Sequence, residues 1–337
     1  MDIVISHMSA LHLMRGHRFP ATGWDECPTE LPSRMPSPAE LREARGAVEG
    51  LRAFPSRIGV LVPRNPAGHA SKGAVAHVWS APLPAGALVE LASGIRCVSP
   101  LLLPVLVAPH LSKLELQLLL AELLGLYAVT GEGETGLAQR DVPLITREEL
   151  LAFLDALGSA RGARMVRQAL GEAPVLAASP QEAKLFLRAT LSHARGGYRL
   201  GKVVLNDPVE LERISSGIKT LQVRKPDLLL LGKDGGGGVC LDYMGAWHAS
   251  ERNVRRDANR RNELIAAGFK PYEIFKEHYD DLDYLDGLIE AIRADLGISR
   301  REVTLERQRK LRRARFALWR DLEAIDLRAW EWREELR

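Results

Sequence analysis

Two apolar runs joined by a glycine-rich turn, spanning Pro226 to Asp242 (PDLLLLGKDGGGGVCLD), constrain this chain more than any other feature. Runs of this kind predict an antiparallel hairpin. Paired residues in a hairpin have a constant index sum, so a turn centred near Asp234 and Gly235 sets Asp227 against Asp242. The two carboxylates would then share one face, with Cβ atoms roughly 5 Å apart. Like charges so placed repel, and a divalent cation is the natural compensation. Mg²⁺ (or Mn²⁺) prefers hard oxygen ligands and takes one or two protein carboxylates. Four glycines can also hold a bulge, and a slip of one residue would send one carboxylate to the opposite face. The structural alternative makes both aspartates strand-end residues facing solvent.

The residues around this hairpin add chemistry. Tyr243, Gly245, Trp247 and His248 follow it, and His248 lies beyond the strand, where it suits a general base or a phosphate contact. Asp257 and Arg260 stand three apart on the next predicted helix, on one face, which also describes an ordinary ion pair. Gly268 fits the stop of that helix. Upstream, Ser179-Pro180-Gln181-Glu182 reads as a capping box, which accounts for Glu182 structurally; a place beside a metal is the other reading.

Net charge is only +3, but it is unevenly spread. Five arginines and one acid lie between Arg252 and Arg261, and eight basic residues and two acids between Arg300 and Arg315. Such stretches, Arg252 and Arg256 among them, suit a polyanion, because phosphate contacts dominate nucleic-acid affinity. Their ordinary alternative is a solvated or internally paired helix face.

The pattern predicts an α/β chain in three parts: a smaller α+β domain over 1–170, a mixed sheet flanked by helices over 179–298, and a basic helical extension over 300–337. In the first part helices are expected over Ser9–His17, Pro38–Leu51, Ser112–Tyr127, Thr146–Leu157 and Gly162–Leu170. Strands are expected over Arg57–Pro63, Ala74–Ser80, Leu88–Leu91 and Ile95–Val98. Its histidines, His7, His12, His17, His69, His77 and His110, read as scattered surface or packing residues. The second part reads helix (180–193), strands (202–205, 226–231, 238–244), helix (252–267), strand (270–275), helix (282–296). A last helix from Arg300 to about Trp332 carries Leu311, Phe316, Trp319, Leu322 and Leu327, whose spacing requires packing on this chain or on a protein partner or second copy. Three separated cysteines exclude a thiolate zinc site and a disulfide framework and fit a reducing cytoplasm. No signal-peptide pattern is read, and the most apolar stretch, Val98 to Ala108, is too short to span a bilayer.

The ordered series Ser179, Pro180, Glu182, Leu185; Asp227; Asp242-Tyr-x-Gly-x-Trp-His248; Asp257, Arg260, Leu264, Gly268 resembles the endonuclease domain related to very-short-patch-repair enzymes, of the PD-(D/E)xK superfamily. The first half is similar to AbiEi-type antitoxin regions, through Ile5-Ser-His, Ile58 to Pro63, His77 with Ser80, and Gly94 to Pro100. The resemblance implies a restriction-endonuclease-like core, with a metal held by Asp227 and Asp242 and Glu182 completing the site. His248 would lie near the attacking water, Tyr243 and Trp247 would flank it, and Asp257 and Arg260 would support it. Phosphodiester hydrolysis in DNA, serving defence or repair, is the implied reaction. Met244 departs from the pattern: it stands two positions after the second carboxylate, where relatives carry an acid or lysine. Lys184 or His248 would have to supply that role from elsewhere. The alternative is a nuclease-fold protein that binds nucleic acid or acts as an antitoxin-like regulator without cutting.

Overall fold

The computed structural model describes residues 1–16, 19–20, 24–52, 54, 57–64, 72–131, 134–215, 218–232, 238–244, 251–298 and 303–332; the side chains of 212–220, 222, 251–258 and 331–332 also lie outside the description. The chain is α/β and forms two compact units, residues 1–173 with 326–337, and residues 174–325. No helix among the described residues is long and apolar enough to cross a membrane.

The first unit runs β1 (Ile3–Ile5), α1 (His7–Arg15), α2 (Pro38–Ala47), α3 (Glu49–Arg52), β2 (Ile58–Val62), β3 (Ala74–Val78), β4 (Leu88–Ala92), β5 (Ile95–Val98), α4 (Leu103–Val107), α5 (Lys113–Leu123), β6 (Tyr127–Val129), β7 (Leu137–Gln139), α6 (Arg147–Leu157) and α7 (Arg161–Leu170). Its sheet has the order β3-β2-β1-β5-β4, with β1 parallel to β5 and antiparallel to β2. Ser37, Ser112 and Thr146 each form a full capping box, so α2, α5 and α6 begin where their sequence signals stand. The helix expected over Ser112–Tyr127 ends earlier. The Leu123 carbonyl turns to accept from the Leu144 amide at 3.1 Å, and Tyr127 joins β6 opposite Gln139.

The second unit runs α8 (Pro180–Thr190), β8 (Val203–Leu205), β9 (Val209–Ser215), β10 (Ile218–Arg224), β11 (Leu228–Leu231), β12 (Gly238–Met244), α9 (Glu251–Ala266), β13 (Lys270–Phe275), α10 (Lys276–Asp280), α11 (Leu282–Asp295) and α12 (Leu305–Glu323). Its main sheet has the order β13-β12-β11-β8. It is antiparallel except for β12 beside β13, which α9 connects in parallel. Leu228, Leu229 and Leu230 are all buried, as a strand covered on both faces requires. On one face Leu229 and Cys240 pack with Leu264 of α9 and with Val209 and Leu211 of β9. Gly268 stops α9 with φ +84°.

Two features correct the sequence reading. The ribbon β9–β10 was not anticipated. The basic helix is also shorter than expected: Thr304 caps it, and it ends at Glu323 rather than running to Trp332. Asp326 then accepts from the Arg328 amide at 2.9 Å, a turn that breaks helical continuation. The packing that its apolar spacing requires is met within this chain: Leu318 and Leu322 of α12 are buried, and Trp319 donates to Asp280 at 3.1 Å. Residues from Asp326 on, with buried Trp330, belong to the first unit.

Candidate active site

The hairpin pairs Leu228 with Leu241, Leu229 with Cys240, Leu230 with Val239 and Leu231 with Gly238. These pairs keep the index sum inferred from the sequence. One step further along the register, Asp227 meets Asp242, and two bonds mark the meeting. The Asp227 amide donates to Asp242 Oδ1 at 3.1 Å, and the Tyr243 amide donates to Asp227 Oδ2 at 2.7 Å. Alternation along the strands puts both carboxylates on the face of Leu229 and Cys240, the face that α9 covers. Arg260 lies one helical turn before Leu264 and therefore reaches the same face. Its guanidinium donates to Asp242 Oδ1 at 3.0 Å and to the Lys225 carbonyl at 2.7 Å. Arg260 thus serves Asp242 across the sheet.

Glu182 sits in the first turn of α8 and is buried. Ser179 Oγ accepts from the Glu182 amide at 3.1 Å and donates back to Oε1 at 2.9 Å. Oε2 accepts from the Ala178 amide at 2.9 Å and from Asn206 Nδ2 at 2.8 Å. The capping arrangement is therefore real, with the amide of Ala178 in place of that of Ser179. Asn206 also donates to the Leu176 carbonyl at 2.8 Å, and its own amide donates to the Asp227 carbonyl at 3.2 Å. It does so with φ +50°, a left-handed conformation that asparagine tolerates. Asn206 thus ties the Glu182 turn to the Asp227 strand. Sequence reasoning passed over it, although Asn-Asp-Pro at 206–208 is a turn signal.

The three carboxylates feel one another. Burial, then Glu182 and Asp242, push the Asp227 carboxyl up to about 8, against the Tyr243 amide and Arg260. Burial raises Glu182 as well, with Asp242 contributing and its hydrogen bonds opposing. Arg260 lowers the Asp227 carboxyl without cancelling the effect of burial and of the two neighbouring acids. Asp227 Oδ1 accepts no hydrogen bond among the described residues. Two hard oxygen donors so placed fit a divalent cation that keeps most of its water. They form no fuller cage: among the described residues no group of three or more His, Cys, Asp or Glu side chains is placed to hold a metal ion.

Other residues singled out from the sequence fall elsewhere. Tyr243 points to the opposite face from Asp242, its ring edge-on to Tyr279 at 6.2 Å, so its link to the carboxylates is its backbone amide. Lys184 is two residues from Glu182 and so on another side of α8. It is buried and pairs with Glu323 of α12 at 3.1 Å, which removes it from the role left open by Met244. Met244 is half-buried at the end of β12 on the Asp242 face. Trp247 and His248 lie outside the described residues. Arg252, Arg256 and Asp257 belong to α9, but their side chains are also outside the description.

The first unit holds a cluster that the sequence reading dispersed. His7 and His77 stack with ring centroids 3.4 Å apart and planes 12° from parallel. Ser6 Oγ and His7 Nδ1 share a 3.1 Å hydrogen bond, and His7 has φ +52°, a strained value for a residue with a Cβ. Burial holds both imidazoles low, His77 to about 4, with His110 adding to each shift. Nothing in local spacing could have joined His7 to a residue seventy positions on; the parallel pairing of β2 with β3 does so. Compared with known proteins, the chain matches no protein-family model, no curated protein and no solved structure.

Proposed function

We propose that the second unit is a metal-dependent DNA endonuclease built on a restriction-endonuclease-like core. The observation that carries this reading is the hairpin register, which sets Asp227 against Asp242 beside buried Glu182, with the Asp227 carboxyl raised by burial and by both neighbours. The mixed sheet with α9 as a parallel crossover supports the same core. Asp227 and Asp242 would hold Mg²⁺ or Mn²⁺, which when bound would polarise a phosphate and favour ionisation of a water. Backbone amides fix both carboxylates, so the chain supplies preorganised acceptors rather than mobile ones. Arg260 would orient Asp242 and balance charge as the phosphodiester arrives. Water would attack phosphorus as the P–O bond to the leaving strand breaks, the water's proton passing to solvent and the leaving oxygen taking one from solvent; His248, expected as a base, lies outside the described residues. Buried, unpaired Cys27, Cys97 and Cys240 suit a reducing cytoplasm.

A specific observation favours a second reading. Arg260 already sits on Asp242, and Met244 occupies the position where a polar residue would orient water. A nuclease-fold protein that binds nucleic acid, with an AbiEi-like first unit acting in regulation, is that alternative. Incubation of supercoiled plasmid and of single-stranded DNA with Mn²⁺, beside an EDTA control and the Asp227→Ala variant, separates the two. Cutting that requires both metal and Asp227 supports the nuclease. Intact DNA under all conditions, with retained binding, selects the alternative.

A further inference from the structure

Away from the carboxylates, the turn at 193–199, α11 and α12 enclose a cleft of about 910 Å³. Six arginines line it against two carboxylates, Asp286 and Glu290, so its charge is strongly positive. Three of the six are anchored. Arg315 pairs with Asp286 at 2.8 Å and lies over the Tyr198 ring at 4.6 Å. Arg293 donates to the Tyr198 carbonyl, and Arg312 pairs with Asp283. The other three, Arg199, Arg307 and Arg309, are exposed and make no ion pair among the described residues.

Arg199 is also strained. Its φ is +52°, a conformation that costs a residue with a Cβ about 1 kcal/mol or more. The turn is held in this shape from both sides. A Cβ on Gly196 would stand 2.2 Å from the Ala314 carbonyl, so the turn lies directly against α12. The Tyr198 and Leu200 amides donate back to α8, to the Arg188 and Ala189 carbonyls. The fold thus maintains a costly backbone that presents an unpaired arginine to a cleft already rich in them. His193 registers the same field: burial and then Arg293, Arg315 and Arg199 lower its pKa.

A second cleft adjoins the first, and Arg312 lines both. Phe316 and Trp319 wall it, their rings 5.6 Å apart, and its rim is mixed in charge, with Arg312 and Arg313 beside Asp280, Asp281 and Asp283. Trp319 is fixed by its bond to Asp280, while Phe316 is 48% exposed. The arginines of the first cleft beside the open aromatic surface of the second match the chemistry of a strand whose phosphates are paired in the one and whose unstacked bases lie on the other. A duplex keeps its bases stacked internally and would leave the aromatic surface without a partner.

We propose that α12 and its flanking turn form a binding site for single-stranded nucleic acid, with Arg199, Arg307 and Arg309 on phosphates and Phe316 under a base. This site is independent of the carboxylate reading. The test uses the full chain in EDTA, so that metal-dependent cutting cannot interfere. Fluorescence anisotropy would follow a labelled oligo(dT) of about 20 nucleotides, long enough for a typical single-strand site, and a duplex of equal length. Wild type should bind the single strand more tightly than the duplex, with affinity falling steeply as salt rises. Combined Arg199→Ala, Arg307→Ala and Arg309→Ala should weaken binding tenfold or more and flatten the salt dependence. Phe316→Ala should weaken single-strand binding about fivefold or more and leave duplex binding unchanged. Circular dichroism and thermal melting would establish that each variant is folded. Absent binding by wild type, or unchanged affinity in the folded triple variant, overturns the site. Equal competition by polyglutamate, or equal duplex binding insensitive to Phe316, overturns its assignment to single strands.

Discussion

In the first unit Arg15 meets Glu122 through two parallel bonds of 2.8 Å; in the second, Asp227 and Asp242 meet each other. The first cluster is fully buried and the second partly so, with Glu182 and Asp242 buried and Asp227 half-buried, and they differ in how charge is closed. Glu122 is fully buried and accepts both arms of Arg15 and the Val129 amide at 3.0 Å. Arg140 then binds the carbonyls of Glu122, Tyr127 and Met14 at 2.8–3.0 Å. The Arg15–Glu122 pair is matched in charge and bidentate, as a buried pair requires if it is to persist, and the second cation, Arg140, is satisfied by carbonyl oxygens. The carboxylate cluster has well-made hydrogen bonds, and three acids meet in it with Arg260 on Asp242 among the described side chains. The first arrangement holds a fold together. The second stores repulsion that a ligand would relieve, which is the usual mark of a site.

Breaking the matched cluster should have the largest effect on stability. Glu122→Gln leaves the Arg15 guanidinium buried without its counter-charge, and loss of one partner from such a pair costs about 3–5 kcal/mol. Calorimetry should show the first unit melting on the order of 10 °C lower. A loss under about 1 kcal/mol would mean that solvent reaches Arg15, and the contrast between the clusters would fail.

The histidine stack gives the next effect, and it depends on pH. His77 titrates near 4 in the folded chain against an ordinary value of 6.5, and His7 is held well below the same value. Between these values the unfolded chain binds the extra proton, so stability is intact above about pH 6.5 and falls as pH drops towards 4. For His77 alone the loss amounts to at most about 3 kcal/mol. Urea unfolding at pH 7 and pH 5 should show the decline, and His77→Gln should make it shallower. An identical pH slope in that variant would show that the stacked imidazole is not the group responsible.

Two serine caps compare a purely structural helix start with one beside the carboxylates. Ser112 accepts from the Glu115 amide at 3.3 Å in an exposed turn. Ser179 makes the equivalent bond to the Glu182 amide and also donates to the buried carboxylate. Ser112→Ala should cost about 1 kcal/mol. Ser179→Ala should cost about 2 kcal/mol, since it removes a donor from a buried acid as well as a cap. Equal losses in chemical denaturation would mean that the Ser179 hydroxyl adds nothing beyond capping.

The carboxylate hairpin was legible because its information is local. Two apolar runs and a glycine turn fix an index sum, and the sum survives whatever the rest of the chain does. The cap at Ser179 was legible for the same reason, as were the helix starts at Pro38, Ser112 and Thr146, each within one residue. The ribbon β9–β10 also had a local signal, alternation in Val209-Glu-Leu-Glu-Arg-Ile214 and Ile218-Lys-Thr-Leu-Gln-Val223, but its charged positions disguised a strand pair. Arg260 was read as a partner of Asp257, because helical spacing was visible and the approach of α9 to β12 was not. His7 with His77, Arg15 with Glu122, and Asn206 with Glu182 are joined only by tertiary packing. No period or motif in the sequence encodes such distances.

Asp227→Asn carries the comparison to its smallest effect on stability and its largest on chemistry. Asparagine keeps an oxygen for the Tyr243 amide and removes an acid whose carboxyl is pushed up to about 8, so that folding at neutral pH no longer has to protonate it. The folded chain should therefore be unchanged or more stable by up to about 1 kcal/mol at neutral pH, the opposite sign from Glu122→Gln. Metal-dependent cutting should be abolished in the same variant, because an amide is a weak donor for a hard cation. Paired melting and plasmid-nicking measurements separate the two kinds of cluster. If Asp227→Asn instead destabilises the second unit as much as Glu122→Gln destabilises the first, the carboxylate pair holds the hairpin together, and the argument that it awaits a cation is lost.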